Sequence, residues 1–213
     1  MALDLLRLQR LFGTAPPPFR LAGRRTVLRA PDRIDWRPWA ELRHASRAFL
    51  TPWEPSWGED ALSRAAFRRR LARYALEWHS DQGYTFLLFR LEDDVLVGGI
   101  SLTNVRRGVA ESASVGYWVG EAHARQGYMT EGLALTLRFA FERLRLHRVE
   151  AACLPHNGPS RGLLLKSGFT EEGYAREYLC IDGKWQDHIL FGILDKPPTD
   201  DQMLTTRFLP VKP

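Results

Sequence analysis

Residues 123–132 carry the sequence His-Ala-Arg-Gln-Gly-Tyr-Met-Thr-Glu-Gly. They follow a strand-like run, Ala113 to Val119, and lead into a strongly helical run, Thr130 to Leu146. A glycine-bearing turn that leads into a helix leaves several backbone N–H groups without intrahelical partners and pointing the same way. Together with the positive end of the helix dipole, these groups form an anion site. The stretch therefore predicts that a phosphorylated ligand binds between this strand and this helix.

The composition outside this stretch is that of an ordinary globular chain. A length of 213 residues fits one large domain, or one domain with a terminal arm. The formal net charge of +5 indicates an anionic partner such as nucleic acid, a ribosome or a polyphosphate ligand, although a basic solvated surface explains it equally well. No apolar run reaches the roughly 18 residues that a membrane span needs. We therefore expect a cytoplasmic protein without a membrane segment.

The chain has two cysteines, Cys153 and Cys180, each inside an apolar, strand-like segment. Their spacing matches neither a disulfide framework nor a metal site. We expect both to be buried free thiols in a reducing cytosol.

The hydrophobic periods divide the chain into an arm, a domain and a tail. Residues 1–20 are predicted as an N-terminal arm, in which a short amphipathic helix precedes a proline-rich linker. The domain is predicted over residues 21–196 and the tail over residues 197–213. Within the domain we predict these elements: strands at Arg25–Arg29, Tyr84–Leu91, Val95–Val105, Ala113–Val119 and Val149–Leu154; helices at Asp35–Phe49, Asp60–His79 and Thr130–Leu146; a helix capped by Asn157 and ending at Lys166; a strand opened by Gly168-Phe169; and a hairpin, Tyr178–Leu194, that turns at Asp182-Gly183.

This order resembles the GNAT N-acetyltransferase superfamily. The features that carry the resemblance are the strand, turn and helix around residues 123–132, followed by a strand with Asn157-Gly158-Pro159-Ser160 and Lys166-Ser167-Gly168-Phe169. The fold that the resemblance implies is α/β, with a mixed central sheet of about seven strands flanked by about four helices. It also implies that the turn holds the pyrophosphate of acetyl-CoA. The chain departs from the general pattern at Ala124 and Met129, and Leu164 stands where many members have a tyrosine general acid.

Ala124, Met129 and Leu164 fit one subgroup of the superfamily. This subgroup is the RimJ/RimL-like protein N-terminal acetyltransferases, and the resemblance to its RimJ branch is the stronger. The resemblance extends from Leu21 to Leu194. It implies transfer of an acetyl group to the N-terminal alanine of a small-subunit ribosomal protein. The matching stretches are Phe49–Pro55, Asn104–Gly108, Gly127–Glu131, Leu154–Asn157, Gly168–Leu179 and Ile181–His188.

By resemblance, the cofactor site has two parts. One is a set of backbone N–H groups for the pyrophosphate, and the other is a strand edge and a polar side chain for the pantetheine arm. The pyrophosphate residues are Arg125, Gln126, Gly127, Tyr128, Met129 and Thr130. The pantetheine residues are Tyr117, Trp118 and Val119, with Asn157, which serves equally as a plain helix cap, and Ser160.

Three residues are candidates for proton transfer. Ser160 resembles the serine that serves as general acid in RimL-like relatives, although it can equally form a hydrogen bond within the first helical turn. Glu54 lies between two prolines in a loop that the family places over the acceptor. Glu177 is the alternative base, acting through water, and either glutamate can also be a plain solvated charge.

The acceptor groove is predicted from aromatic and charged residues. Trp53, Glu54, Tyr174 and Tyr178 are the predicted acceptor contacts, with Trp57 and Tyr117 as further candidate walls. Trp118 and Trp185 are expected to pack in the core. The arginine-rich segment 64–73 is either a solvated helix face or a contact for ribosomal RNA phosphates.

Two further classes of function stay open on the sequence alone. One is acetylation of a small-molecule amine of the aminoglycoside kind. The other is a non-catalytic ribosome-assembly factor on the same fold, since a fold by itself does not prove an activity. We expect a monomer or weak dimer, and no metal.

Overall fold

The computed structural model describes residues 15–195. The amphipathic helix predicted for the N-terminal arm and the tail predicted for residues 197–213 lie outside this part of the chain. Within it, no helix is both long enough and apolar enough to cross a membrane.

The described chain forms one eight-stranded mixed sheet, one strand more than expected. The order is β1-β2-β3-β4-β5-β6-β8-β7, and only β5 and β6 run parallel to each other. The additional strand is β1, a three-residue edge strand that is too short to give a periodic signal. The strands are β1 Arg20–Ala22, β2 Thr26–Arg29, β3 Tyr84–Arg90, β4 Leu96–Arg106, β5 Ser112–Val119, β6 Arg148–Cys153, β7 Thr170–Ile181 and β8 Lys184–Leu194.

Within residues 15–195, five α-helices flank the sheet, against about four expected. They are α1 Trp36–Ala45, α2 Arg47–Leu50, α3 Arg64–His79, α4 Tyr128–Arg138 and α5 Gly158–Lys166. The start predicted for α3 at residue 60 is wrong by four residues, because the Ser63 hydroxyl accepts a hydrogen bond from the Ala66 N–H and caps the helix there. The long helix predicted to Leu146 instead ends at Arg138 and continues as a π-turn, Phe139–Arg143.

The sheet separates two hydrophobic clusters. Side chains alternate along a strand, so Phe86 and Leu88 of β3 enter the cluster under α4, whereas Leu87 and Phe89 enter the cluster under α1 and α3. Leu133 of α4 anchors the first cluster. Both faces of β3 are therefore covered, by α4 on one side and by α1 and α3 on the other.

The sheet opens between its two parallel strands. Pairing between β5 and β6 covers only Ser112–Ser114 and Arg148–Glu150 in the described chain. Beyond it, residues 151–153 of β6 pair with β8, and residues 115–119 of β5 pair only with β4. We call this gap the β5–β6 opening. The helix that follows each strand, α4 after β5 and α5 after β6, begins on its side of the opening.

Two expected core residues are exposed. Cys180 and Trp185 pair across the β7–β8 hairpin, and the side chain of Trp185 is 66% exposed. The prediction that they are buried is wrong because β6 ends opposite Ile189, so the hairpin beyond that point is only two strands wide. Cys153 is buried, as predicted. The hairpin turn at Asp182-Gly183 is confirmed, although β7 begins at Thr170 and continues through two bulges rather than starting at Tyr178.

Candidate active site

The turn that precedes α4 has the backbone conformation that its glycine predicts. Gly127 has φ +82° and Arg125 has φ +60°, both in the left-handed region, and α4 begins at Tyr128. Glycine adopts this region without steric cost. The first N–H groups of α4 have no partners within the helix, so the turn and the helix start present donors at the end of the β5–β6 opening.

The β1–β2 turn holds this turn in place. The Arg25 guanidinium donates to the carbonyl of Gln126 at 2.7 Å and lies 4.9 Å from the centre of the Tyr128 ring. In the opposite direction, Oε1 of Glu131 accepts hydrogen bonds from the N–H groups of Arg25 at 2.9 Å and Thr26 at 3.3 Å. The geometry of the turn therefore depends on a contact between segments about a hundred residues apart in the chain.

The edge of β5 that faces the opening contains the predicted pantetheine residues. Tyr117, Trp118 and Val119 pair with Ile100, Gly99 and Gly98 of β4, and their other edge lies beyond the last pair with β6. An unpaired strand edge offers N–H and C=O groups to an extended ligand. The opening thus fits a long ligand that is amide-bearing at one end and anionic at the other.

The Tyr117 hydroxyl makes two hydrogen bonds across the opening, the longer one to the backbone carbonyl of Ser160 at 3.5 Å. The hydroxyl oxygen of Tyr117 on β5 lies 2.8 Å from Oγ of Ser160 on α5. Asn157 caps α5, and its Oδ1 accepts the Ser160 N–H at 3.1 Å. Burial raises the pKa of the Tyr117 phenol to about 12 and also raises the pKa of the adjacent Cys153 thiol. The Tyr117 phenol is therefore protonated at neutral pH and able to donate to Ser160.

A cavity of about 450 Å³ lies against the other face of the same strands. Strands β3, β4 and β5 form its floor, and the loop of residues 54–63 with parts of α1 and α3 forms its walls. Tyr117 lines this cavity as well as contacting Ser160. Tyr117 pairs with Ile100 and packs with the cluster under α4, so its side chain points away from the cavity and β5 separates the cavity from the opening.

Small polar residues form part of that floor. Thr85, Ser101 and Gly116 are cross-strand neighbours in adjacent strands, and all three line the cavity. The Ser101 hydroxyl donates to Oγ1 of Thr85 at 3.0 Å. A Cβ atom added to Gly116 would meet no heavy atom within 4 Å, so the space above it is open.

Glu54 lies in the cavity wall with its carboxylate held from two sides. Both of its oxygens accept hydrogen bonds from the Arg43 guanidinium, and Oε2 also accepts the Trp57 indole N–H at 2.9 Å. Its backbone carbonyl accepts the Asp182 N–H at 2.9 Å, which ties the loop to the tip of the β7–β8 hairpin. The side chain is 20% exposed.

The predicted wall Trp57 lines this cavity, whereas the predicted contacts Trp53, Tyr174 and Tyr178 do not. Trp53 stacks on His156 with ring centres 5.5 Å apart, next to the start of α5. Tyr174 donates to Asp187 at 2.6 Å, and Tyr178 packs on His188. Glu177 is exposed on a bulge of β7 with φ +46°. The structure thus places Glu54 in the cavity wall above the floor strand that carries Tyr117, and it leaves the residues of β7 outside the cavity.

Comparison with known proteins identifies this arrangement. The model of the acetyltransferase (GNAT) domain family matches residues 25–170, more than half of the chain. The chain belongs to the GNAT acetyltransferase family. It is an acetyl-CoA-dependent N-acetyltransferase.

Relatives of this GNAT enzyme match it along most of its length. The probable N-acetyltransferase YjcK of Bacillus subtilis is 34% identical over 85% of the chain and 99% of its own length. The [ribosomal protein uS5]-alanine N-acetyltransferase of Escherichia coli is 36% identical over 82% of the chain and 90% of its own length. The predicted family is therefore confirmed, including its RimJ-like branch.

Solved structures agree with the fold. The ribosomal-protein-S5-alanine acetyltransferase of Vibrio fischeri superposes with a TM-score of 0.78 at 26% identity, covering 84% of this chain and all of that one. Mycobacterium smegmatis RimJ in complex with CoA-disulfide superposes with a TM-score of 0.77 at 31% identity, covering 89% of both chains. The α/β GNAT fold is thus confirmed.

The sequence did not single out three residues that shape the site of this acetyltransferase: Arg25, Arg43 and Thr85. A signal existed for Arg43, because it follows Trp36 and Trp39 at spacings of seven and four residues on the apolar face of a predicted helix. An arginine on the apolar face of a helix either forms an ion pair or lies at the edge of that face. No comparable signal marks Arg25, whose role depends on a contact with a distant turn.

Proposed function

We propose that this enzyme transfers the acetyl group of acetyl-CoA to the α-amino group of a protein N-terminus. The acceptor that its relatives favour is the N-terminal alanine of the ribosomal protein uS5. The observation that carries the proposal is that β5 lies between two groups suited to the transfer: the fixed carboxylate of Glu54 in the cavity on one side, and the Tyr117–Ser160 pair at the opening on the other. A cytoplasmic location follows from such a substrate.

The cofactor is held by the groups that surround the opening. We assign the backbone N–H groups of residues 125–130 to the pyrophosphate and the free edge of residues 117–119 to the pantetheine arm. Asn157, already the cap of α5, orders the end of that arm from the other side of the opening. When bound, acetyl-CoA would supply an activated thioester for the transfer.

Ser160 is the proposed general acid. Its Oγ would deliver a proton to the departing sulfur atom, and the Tyr117 phenol would replace that proton through the 2.8 Å hydrogen bond. The tyrosine that serves many family members would stand at Leu164, which is fully buried in the core here and has no access to the opening. We therefore assign protonation of the departing sulfur atom to the Ser160–Tyr117 pair.

Glu54 is the proposed contact for the acceptor amine. An α-amino group has a pKa of about 7.7–8.0, against about 10.4 for a lysine side chain, so a protein N-terminus needs little help to lose its proton near neutral pH. Glu54 would orient the amine, and water would carry the proton away. Glu177 stays the alternative base, and Trp53, Tyr174 and Tyr178 stay proposed contacts for acceptor residues beyond the first.

Helix α3 is the proposed ribosome contact. Two of its arginines are already in ion pairs, Arg69 with Asp60 and Arg73 with Glu77, and Arg68 is exposed. The cationic surface available to RNA phosphates is thus smaller than the sequence predicts. We propose a monomer or weak dimer, because the site is built from one chain.

The test is acetyl transfer measured by mass spectrometry. The purified enzyme is incubated with acetyl-CoA and three peptides that share one lysine-containing sequence after the first residue. The first residue is alanine in one peptide, leucine in the second and N-acetylalanine in the third. We expect modification of the alanine peptide at its α-amino group and none of the blocked peptide.

Other outcomes would favour the other functions. Modification of an aminoglycoside but of no peptide would place the enzyme among the small-molecule acetyltransferases. Binding of coenzyme A without transfer to any amine would leave a non-catalytic factor on the same fold.

A further inference from the structure

Arg43 is a cation at the edge of the candidate site to which no role has yet been assigned. It lies on α1, is 9% exposed and lines the cavity. Its Nη1 donates to Oε1 of Glu54 at 3.2 Å and its Nη2 donates to Oε2, so the pair is bidentate. Burial of an ion pair costs solvation free energy, and replacement by apolar side chains often stabilises a fold. The Arg43–Glu54 ion pair is therefore weak evidence that Arg43 stabilises the fold, and a role of Arg43 at the site explains the pair better.

The same guanidinium contacts aromatic rings on both sides of the cavity. It lies 4.4 Å from the ring centre of Trp57, in the loop of residues 54–63, and 4.9 Å from that of Trp118, on β5. A planar guanidinium can stack on aromatic faces while its edge makes a two-pronged bond to a carboxylate, and a lysine ammonium cannot do both. Arg43 thus joins the acceptor side of the cavity to the cofactor strand.

The contacts also limit what Glu54 can do. A carboxylate offers about four positions for hydrogen-bond donors. Three of these are taken: Arg43 occupies one on each oxygen, and the Trp57 indole occupies a second on Oε2. The remaining position is on Oε1. A carboxylate in this state can accept one N–H of an incoming amine in a fixed direction.

We propose that Arg43 is a positioning residue that holds Glu54 in the orientation needed to receive the acceptor amine, at a fixed distance from the cofactor strand. The inference rests on the proposed function, because it assumes that Glu54 faces the acceptor. Arg43 itself touches neither substrate. Its effect is on how well the acceptor is placed, and misplacement by about 1 Å can cost roughly 100-fold in rate.

The experiment compares Arg43→Lys with Arg37→Lys. The control lies on the same helix, but it is 79% exposed and paired only with Glu41 at 4.0 Å. Steady-state rates are measured with the alanine peptide at saturating acetyl-CoA, and with acetyl-CoA varied at saturating peptide. We expect Arg43→Lys to lower kcat/KM for the peptide about 100-fold and to leave the KM for acetyl-CoA unchanged. We expect Arg37→Lys to match the wild type in both.

Hydrogen exchange provides a readout that does not depend on turnover. Arg43→Lys should speed exchange of the backbone amides of Glu54 and Asp182, which donate to the Thr51 and Glu54 carbonyls, whereas the amides of α4 should be unchanged. If the wild type acetylates no peptide, the proposed function fails, and the exchange data alone decide the role of Arg43. The inference is overturned by wild-type exchange at Glu54 and Asp182 in the variant, by an unchanged peptide kcat/KM, or by an equal loss of acetyl-CoA affinity.

Discussion

Replacement of Ser160 by alanine separates its proposed catalytic role from its place in the helix. The change removes Oγ and with it the 2.8 Å hydrogen bond to the Tyr117 hydroxyl. The helix cap stays, because Asn157 Oδ1 accepts the backbone N–H of residue 160 and not its side chain. We therefore expect the fold, the opening and the turn of residues 125–130 to be retained in Ser160→Ala.

The expected magnitudes follow from these contacts. A general acid contributes about 100-fold to 10,000-fold in rate, which is about 3–5 kcal/mol of transition-state stabilisation. Loss of one hydrogen bond by a partly buried hydroxyl costs about 1 kcal/mol of stability, and so lowers Tm by about 2–4 °C in a chain of this size. Ser160→Ala should therefore lose at least about 100-fold in kcat with little loss of stability.

The assay is steady-state release of free coenzyme A with the alanine peptide, with coenzyme A affinity measured separately by calorimetry. Tyr117→Phe is the matched variant, because it removes only the partner hydroxyl. We expect a smaller loss of kcat in it, and a double variant no slower than Ser160→Ala, since the two groups act in sequence.

The pH profile adds a further check. The pKa of Tyr117 is raised to about 12, so the phenol stays protonated and kcat should show no alkaline fall from this group below about pH 11. A kcat for Ser160→Ala that equals the wild-type value at saturating substrates would refute the assignment. So would a loss that appears only as weaker binding of coenzyme A.

Two further predictions address the cavity and the far end of the sheet. Gly116→Val should raise the peptide KM by about tenfold or more. It should not lower stability, because the new side chain fills open space on the cavity floor. An unchanged KM for the alanine peptide would contradict the assignment of that floor to the acceptor. Hydrogen bonds from Arg107 lower the pKa of Asp81, so the pKa in the folded state lies below the unfolded value of about 3.9. The ionised Asp81 therefore stabilises the fold above about pH 3.9, and this stabilisation is lost as the pH falls below that value. Asp81→Asn, which suits the positive φ of residue 81, should therefore show less loss of urea midpoint between pH 5 and pH 3 than the wild type, and equal acid sensitivity would remove the ion pair as a source of acid stability.

The sequence was sufficient where a feature depends on neighbouring residues. The turn of residues 123–132, the cap at Asn157 and the Asp182-Gly183 hairpin each depend on a few adjacent backbone groups, so local chemistry predicted them. The wrong predictions concern features that adjacent residues do not determine. A three-residue edge strand, β1, carries no period, and the exposure of Cys180 and Trp185 depends on where β6 ends, thirty residues away.

The sequence by itself determined the family, the anion-binding turn and the types of side chain available for proton transfer, because these follow from residue order and backbone conformation. Only the tertiary structure decided which of those side chains meet. It placed Tyr117 against Ser160 across the opening, put Arg43 beneath Glu54, and left Glu177 on an exposed bulge. The physical reason is that each of these contacts joins elements distant in the chain, and their distances are set by how the helices pack on a sheet that splays between two parallel strands.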